Sequence, residues 1–199
     1  LYFPPTCPLQ LLFPPSVRDR TPWVLALVFG LHAVLGAVIG LSVDEAHYLL
    51  YAAHPALSYF DHPPLVGWVQ WPLVALGAPT GLLRLIPGVL WLATVGGVYR
   101  LSLRVLVGHA LAQPAALGAV LALALAPLLH ILGIGLLPDT MLMALTVALL
   151  WQTSTLMDPA ALDRPAAWLV MGALLGLAGL AKYTAVFTAL ALGLVLLRV

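Results

Sequence analysis

Charge is so sparse in this sequence that the charged residues act as punctuation between long apolar runs. Residues 23–42 form a run of 20 without a charged side chain. That matches the roughly 20 residues an α-helix needs to cross the hydrocarbon core of a bilayer. Residues 85–99 are uncharged between Arg84 and Arg100, short of a full span but extendable by snorkelling. Residues 110–137 form a long run broken by Pro114 and Pro127, with 115–133 as its spanning part. The runs 141–157, 165–181 and 183–197 follow, making six candidate spans. The expected fold is an all-α, polytopic helical membrane protein. Composition agrees: of 199 residues, 63 % are hydrophobic and only 8 % charged, too little polar surface to wrap a soluble globule. Mean hydropathy is +1.08. An ordinary cytosolic enzyme is thereby excluded. The net charge of +1 gives no footprint for nucleic acid or another polyanion. The single cysteine, Cys7, excludes an intrachain disulfide and a cysteine metal cage.

Residues 65–83 are also uncharged but carry Gln70, Pro72, Pro79 and Thr80, with Trp68 and Trp71 suited to an interface. The positive-inside rule arbitrates. If this stretch does not span and the N-terminus is inside, Arg18, Arg20, Arg100, Arg104, Arg164 and Arg198 are inside, against Arg84 and Lys182 outside. If it spans, the bias vanishes. It is therefore taken as a non-spanning or re-entrant part of a large first external loop, residues 43–80. That loop holds Asp44, Glu45, His47, His54, Asp61 and His62. Asp139 falls at the external start of the fourth span, and Lys182 in a tight external turn between the fifth and sixth. Residues 1–22 are a separate Pro-rich segment, disordered or interfacial, without the h-region and cleavage site of a signal peptide. Residues 23–199 form the transmembrane domain. The chain stops just after an apolar run with no polar tail, the pattern expected of a truncation.

Asp44-Glu45 directly follows the first span, and carboxylates at a membrane boundary must be solvated, paired or in use. The plain reading is a solvated loop start that caps a helix beginning near Ala46. Tyr48 and the run Tyr59-Phe60-Asp61-His62-Pro63-Pro64 favour a pre-organised polar pocket instead. Asp139 follows Pro138 as an ordinary helix start would have it. Lys182, the chain's only lysine, either snorkels or holds a phosphate as a point charge; Arg84 has the same two readings. His47, His54 and His62 lack a tight zinc-ligand spacing, so no metal site is assigned, and a divalent metal is left open. Gly133-Ile134-Gly135 reads as helix packing or a kink.

Four motifs in order carry a resemblance. Asp44-Glu45-Ala46-His47-Tyr48 with Tyr59-Phe60-Asp61-His62-Pro63-Pro64-Leu65 resembles the first external loop of lipid-phosphate-dependent glycosyltransferases with the GT-C fold. The set resembles the bacterial branch of glycosyltransferase family 39, akin to protein O-mannosyltransferases and the aminoarabinose transferases of lipid A. Arg84-Leu85-Ile86-Pro87 resembles that family's arginine at the next helix start, Leu137-Pro138-Asp139 its second acidic motif, and Gly176 to Thr184 its lysine motif. Members are usually more than twice this length, so the likeness covers their N-terminal half. The resemblance implies transfer of a sugar from a polyprenyl-phosphate donor to a lipid, glycan or protein acceptor, on the periplasmic face of the inner (plasma) membrane. It implies Asp44 as general base, with Glu45 and Asp139 as the other catalytic acids. It implies Lys182 and Arg84 at the lipid phosphate, with Tyr48, Asp61 and His62 beside the substrate. No cofactor is implied with certainty. The rival reading is a transporter or flippase for a lipid-linked substrate, which would also place rare charges near the membrane.

Overall fold

A computed structural model describes residues 20–197. The expectations placed on residues 1–19, including Arg18 and Cys7, and on Arg198 lie outside the described residues. Within them the chain is helical, with no strand. α1 (Thr21–Val38) takes Pro22 at its first turn, where a missing N–H costs nothing. α2 (Val43–Ala53) and α3 (Leu65–Ala75) form a hairpin in the first long connection. α4 (Thr80–Leu83) and α5 (Leu85–Val105) meet at Arg84. α6 (Ala112–Ala124) and α7 (Pro127–Ile134) are one apolar run broken at Pro127 and bent by 71°. α8 (Pro138–Leu156), α9 (Pro159–Leu162), α10 (Pro165–Ala181) and α11 (Ala185–Leu196) complete the order.

The six expected spans are not reached. By length and apolar composition, two helical stretches among the described residues can cross a membrane: Thr21–Val38 and Thr80–Val105, which takes α4 and α5 together. A third is added if the bent pair α6–α7 counts as one span. The remaining runs do become helices, but α10 has 17 residues and α11 has 12. At 1.5 Å per residue these reach about 25 and 18 Å, against about 30 Å of hydrocarbon. α8 is long enough but opens on Asp139 and closes on Gln152-Thr153-Ser154-Thr155. The uncharged stretch 65–83 yields only the 11-residue α3 and the single turn α4, too short to span.

Three apolar clusters hold the bundle. Val28, Trp91, Val95, Val120 and Ala124 join α1, α5 and α6. Leu149, Leu156, Met171, Ala178, Ala185 and Leu192 join α8, α10 and α11. Tyr48, Tyr51, Val66, Leu136, Met141 and Ala181 seat the α2–α3 hairpin on the first residues of α8 and the last of α10. Gly67 permits that seating, since a Cβ there would stand 2.8 Å from Tyr51 Cβ. At the opposite end Arg104 lies 4.7 Å over the Trp151 ring and donates to the Thr155 hydroxyl at 3.0 Å. The break between α6 and α7 is held by histidines. His130 Nε2 donates to the Ala124 carbonyl at 2.9 Å, and His32 Nε2 donates to His130 Nδ1 at 2.9 Å. Gly133 packs on the His32 ring so closely that any Cβ would overlap it.

Candidate active site

The site is built where α1 ends, α2 begins, α8 begins and α10 ends. α2 begins at Val43, three residues before the Ala46 expected, because Ser42 and Glu45 form a capping box. The Glu45 amide donates to Ser42 Oγ at 3.2 Å, and the Ser42 amide donates to Glu45 Oε2 at 2.9 Å. The same carboxylate receives Arg84 as a fork: Nε to Oε1 at 2.9 Å and Nη2 to Oε2 at 2.8 Å. The remaining Arg84 hydrogens go to carbonyls left open where α1 ends: Gly36 at 3.2 Å, Gly40 at 2.8 Å, and Ile39. Burial raises the Glu45 carboxyl, but the hydrogen bonds from Arg84 and Ser42 outweigh it and hold it below its ordinary range. Glu45 and Arg84 are thus engaged with each other as a buried pair. Both are buried, and all five guanidinium donors are spent on α1 and α2.

Asp44, the neighbouring residue, is exposed at the first turn of α2. Tyr48 lies one turn further on the same face. Its hydroxyl is 3.3 Å from His62 Nε2. Asp61 is the hub of the loop that follows. It accepts from the Tyr51 hydroxyl, and its Oδ2 stands 3.2 Å from His62 Nδ1 and 3.3 Å from His47 Nε2. These bonds, the Tyr51 bond first, hold its carboxyl down to about 2 although it faces solvent. Tyr59 stacks on Tyr51 at 3.7 Å and donates to the Tyr51 carbonyl at 2.7 Å. Trp68 on α3 donates to the Ala56 carbonyl at 2.8 Å. The loop is thus rigid before any ligand arrives. Tyr51 was not singled out in the sequence, although His47 and Tyr51 four apart on a helix are a legible pair; they bond at 2.9 Å.

Asp139 opens α8 and Lys182 ends α10. Lys182 Nζ donates to both carboxylate oxygens, at 2.6 and 2.7 Å. Thr140 fixes the corner by donating to the Leu132 carbonyl at 3.0 Å. Tyr48 joins the two halves: burial first, then the fields of Asp44, Asp61 and Asp139, push its hydroxyl up to about 12. Of the eight residues expected at the site, Asp44, Tyr48, Asp61, His62, Asp139 and Lys182 converge. Among the described residues, no group of three or more His, Cys, Asp or Glu side chains is arranged to hold a metal ion.

A family pattern described as dolichyl-phosphate-mannose-protein mannosyltransferase matches residues 61–199. The chain belongs to that family. No curated protein and no solved structure matches it. The mannosyltransferase-family match takes in Asp61, His62, Arg84, Asp139 and Lys182, while Asp44, Glu45 and Tyr48 precede it. Family membership makes this a glycosyltransferase-type chain, and its apolar helices suit a membrane protein.

Proposed function

We propose that this end of the bundle transfers a sugar from a polyprenyl-phosphate donor to a hydroxyl acceptor, on the external face of the plasma membrane. The single observation that carries the reading is the Lys182–Asp139 pair, which lies open on the rim beside Tyr48, Asp44 and Asp61. Two of the lysine's three hydrogens are engaged, and both partners keep contact with solvent. Asp139 thereby pre-orients an ammonium that an arriving phosphate oxygen can share. Held at that phosphate, Lys182 stabilises the negative charge that grows as the sugar leaves. Asp44, exposed and free of the Arg84 fork, takes the acceptor's hydroxyl proton. Glu45 and Arg84 serve as positioning residues that fix the helix start on which Asp44 rides. The rival, a lipid-linked transporter, has the broken α6–α7 pair on its side. The family supports transfer instead.

The experiment is transfer from dolichyl-phosphate mannose by the chain in liposomes, read as kcat and donor KM. Lys182→Gln is expected to raise donor KM and lower kcat, and Lys182→Arg to recover part of the loss, since a fork does not replace a point charge. Unchanged constants in well-folded Lys182→Gln overturn the phosphate role. Movement of intact donor across the bilayer without cleavage favours the transporter.

A further inference from the structure

α1 ends and α5 begins at the Arg84 joint, and towards their other ends the two helices leave a groove of about 760 Å³ between them. Pro22 and Leu25 of α1 line one side, Val89, Leu92 and Gly96 of α5 the other, and Arg100 is the last of its lining along α5. From Val89 to Arg100 the wall runs about 16 Å along the helix axis. A Cβ on Gly96 would meet nothing within 4 Å, so the missing side chain widens the groove instead of admitting a neighbouring helix. Water has few partners on walls of this kind. The two arginines at this end of α5 are used differently. Arg104 is committed: it lies over the Trp151 ring and donates to the Thr155 hydroxyl and, at 3.2 Å, to the Ser154 carbonyl. Arg100 is exposed, and among the described residues its guanidinium has no ion-pair partner. None of the described residues that line the groove is acidic. An apolar trough thus closes on an unspent cation.

We propose that this groove binds one anionic phospholipid, with an acyl chain laid between α1 and α5 and the phosphate held by Arg100. The walls belong to the two stretches whose length and composition suit a membrane crossing. In a bilayer the apolar part of the groove therefore runs among acyl chains, and Arg100 reaches the headgroup layer. A guanidinium meets two phosphate oxygens as a fork, and Arg100 has its donors free for one. A zwitterionic lipid carries the same phosphate but brings its own cation, so Arg100 favours a headgroup of net negative charge. An arginine that only snorkelled to the interface would need no trough beside it. Arg100 lies about 22 Å along α5 from Leu85, so the lipid sits far from Lys182 and takes no part in the transfer step.

The test is native mass spectrometry of the full chain released from nanodiscs that hold equal phosphatidylglycerol and phosphatidylcholine. The native chain is expected to keep one lipid, phosphatidylglycerol about five times as often as phosphatidylcholine. Arg100→Gln should still keep a lipid, with the preference reduced to near one. Gly96→Leu fills the trough from its floor and should keep less than about a fifth of the native amount of either lipid. Leucine is a better helix former than glycine, so the helix tolerates the change. Gly118→Leu is the control: it makes the same change on α6, where a Cβ also meets open space, but outside the groove, and should keep lipid as the native chain does. Native retention in Gly96→Leu, or a preference that persists in Arg100→Gln, overturns the site. So does displacement of the phosphatidylglycerol by inorganic phosphate, since the acyl chain would then contribute nothing. A native chain that keeps no lipid overturns it too: a dimer mass gives the groove to a second copy, and a monomer mass to another part of the chain.

Discussion

Two acid–base pairs stand at the same end of the bundle, and they are built to opposite ends. Glu45 and Arg84 are 9 and 4 % exposed, and Asp139 and Lys182 are 50 and 27 % exposed. The first pair is a closed account of donors and acceptors. Arg84 spends every hydrogen on Glu45 and on the open end of α1, while Glu45 also caps α2. The second pair has a lysine hydrogen and carboxylate lone pairs to spare. Charge type does not distinguish the two pairs. Burial and uncommitted donors do: a planar fork suits a fixed joint, and a compact ammonium suits an exchange of partners.

The largest expected effect comes from breaking the closed pair. Arg84→Gln leaves a buried carboxylate uncompensated and should cost about 3–5 kcal/mol of stability. Thermal unfolding in detergent checks it. A variant that keeps its Tm but no longer binds donor would move Arg84 back to the phosphate and dissolve the contrast. Next comes Asp44→Asn, which removes the exposed acid beside the closed pair without touching either salt bridge. Transfer should fall about 100-fold with the fold intact. Near-normal turnover would pass the base to Asp139.

How much of this was legible depends on range. The helices came from uncharged runs, and the convergence of Asp44, Tyr48, Asp61, His62, Asp139 and Lys182 came from topology and motif order. The span count failed because hydropathy marks apolar runs but not where a helix stops: Pro127 bends one run into two, and the runs at 165–181 and 183–197 give helices of only 17 and 12 residues. The partners of Arg84 were not legible because no local signal reveals that they are Glu45, 39 residues away, and the carbonyls of α1. The His32–His130 joint, 98 residues apart, was invisible for the same reason.

Acid sharpens the comparison by a smaller amount. The Glu45 carboxyl sits below its usual 4.5 in the folded chain. A depressed carboxyl contributes stability above its unfolded value, and that contribution is lost as pH falls through the folded value. Tm should hold from pH 7 to about pH 5 and decline below about 4.5, the unfolded value. Glu45→Gln should start lower and decline less over that window. Asp61, held at about 2 against a usual 3.8, adds its own loss at still lower pH. An equally steep decline in Glu45→Gln would remove Glu45 as the cause.

The smallest effect is expected where the chemistry is assigned. Lys182 and Asp139 are well aligned, but both face solvent, and an exposed pair gains little net free energy once desolvation, side-chain entropy and salt are counted. Lys182→Gln should therefore change stability by less than about 1 kcal/mol, far below Arg84→Gln. The lysine's backbone N–H bond to the Ala178 carbonyl, which ends α10, survives the substitution. Its side chain is not needed to hold the helix, since Ala178 and Ala181 already anchor α10 in two apolar clusters. Unfolding of Lys182→Gln, measured beside Arg84→Gln in the same detergent and at two salt concentrations, decides it. If the lysine variant unfolds as early as the arginine variant, the open pair is a second structural joint. A kinetic defect in a chain of native Tm is the outcome that keeps it at the site.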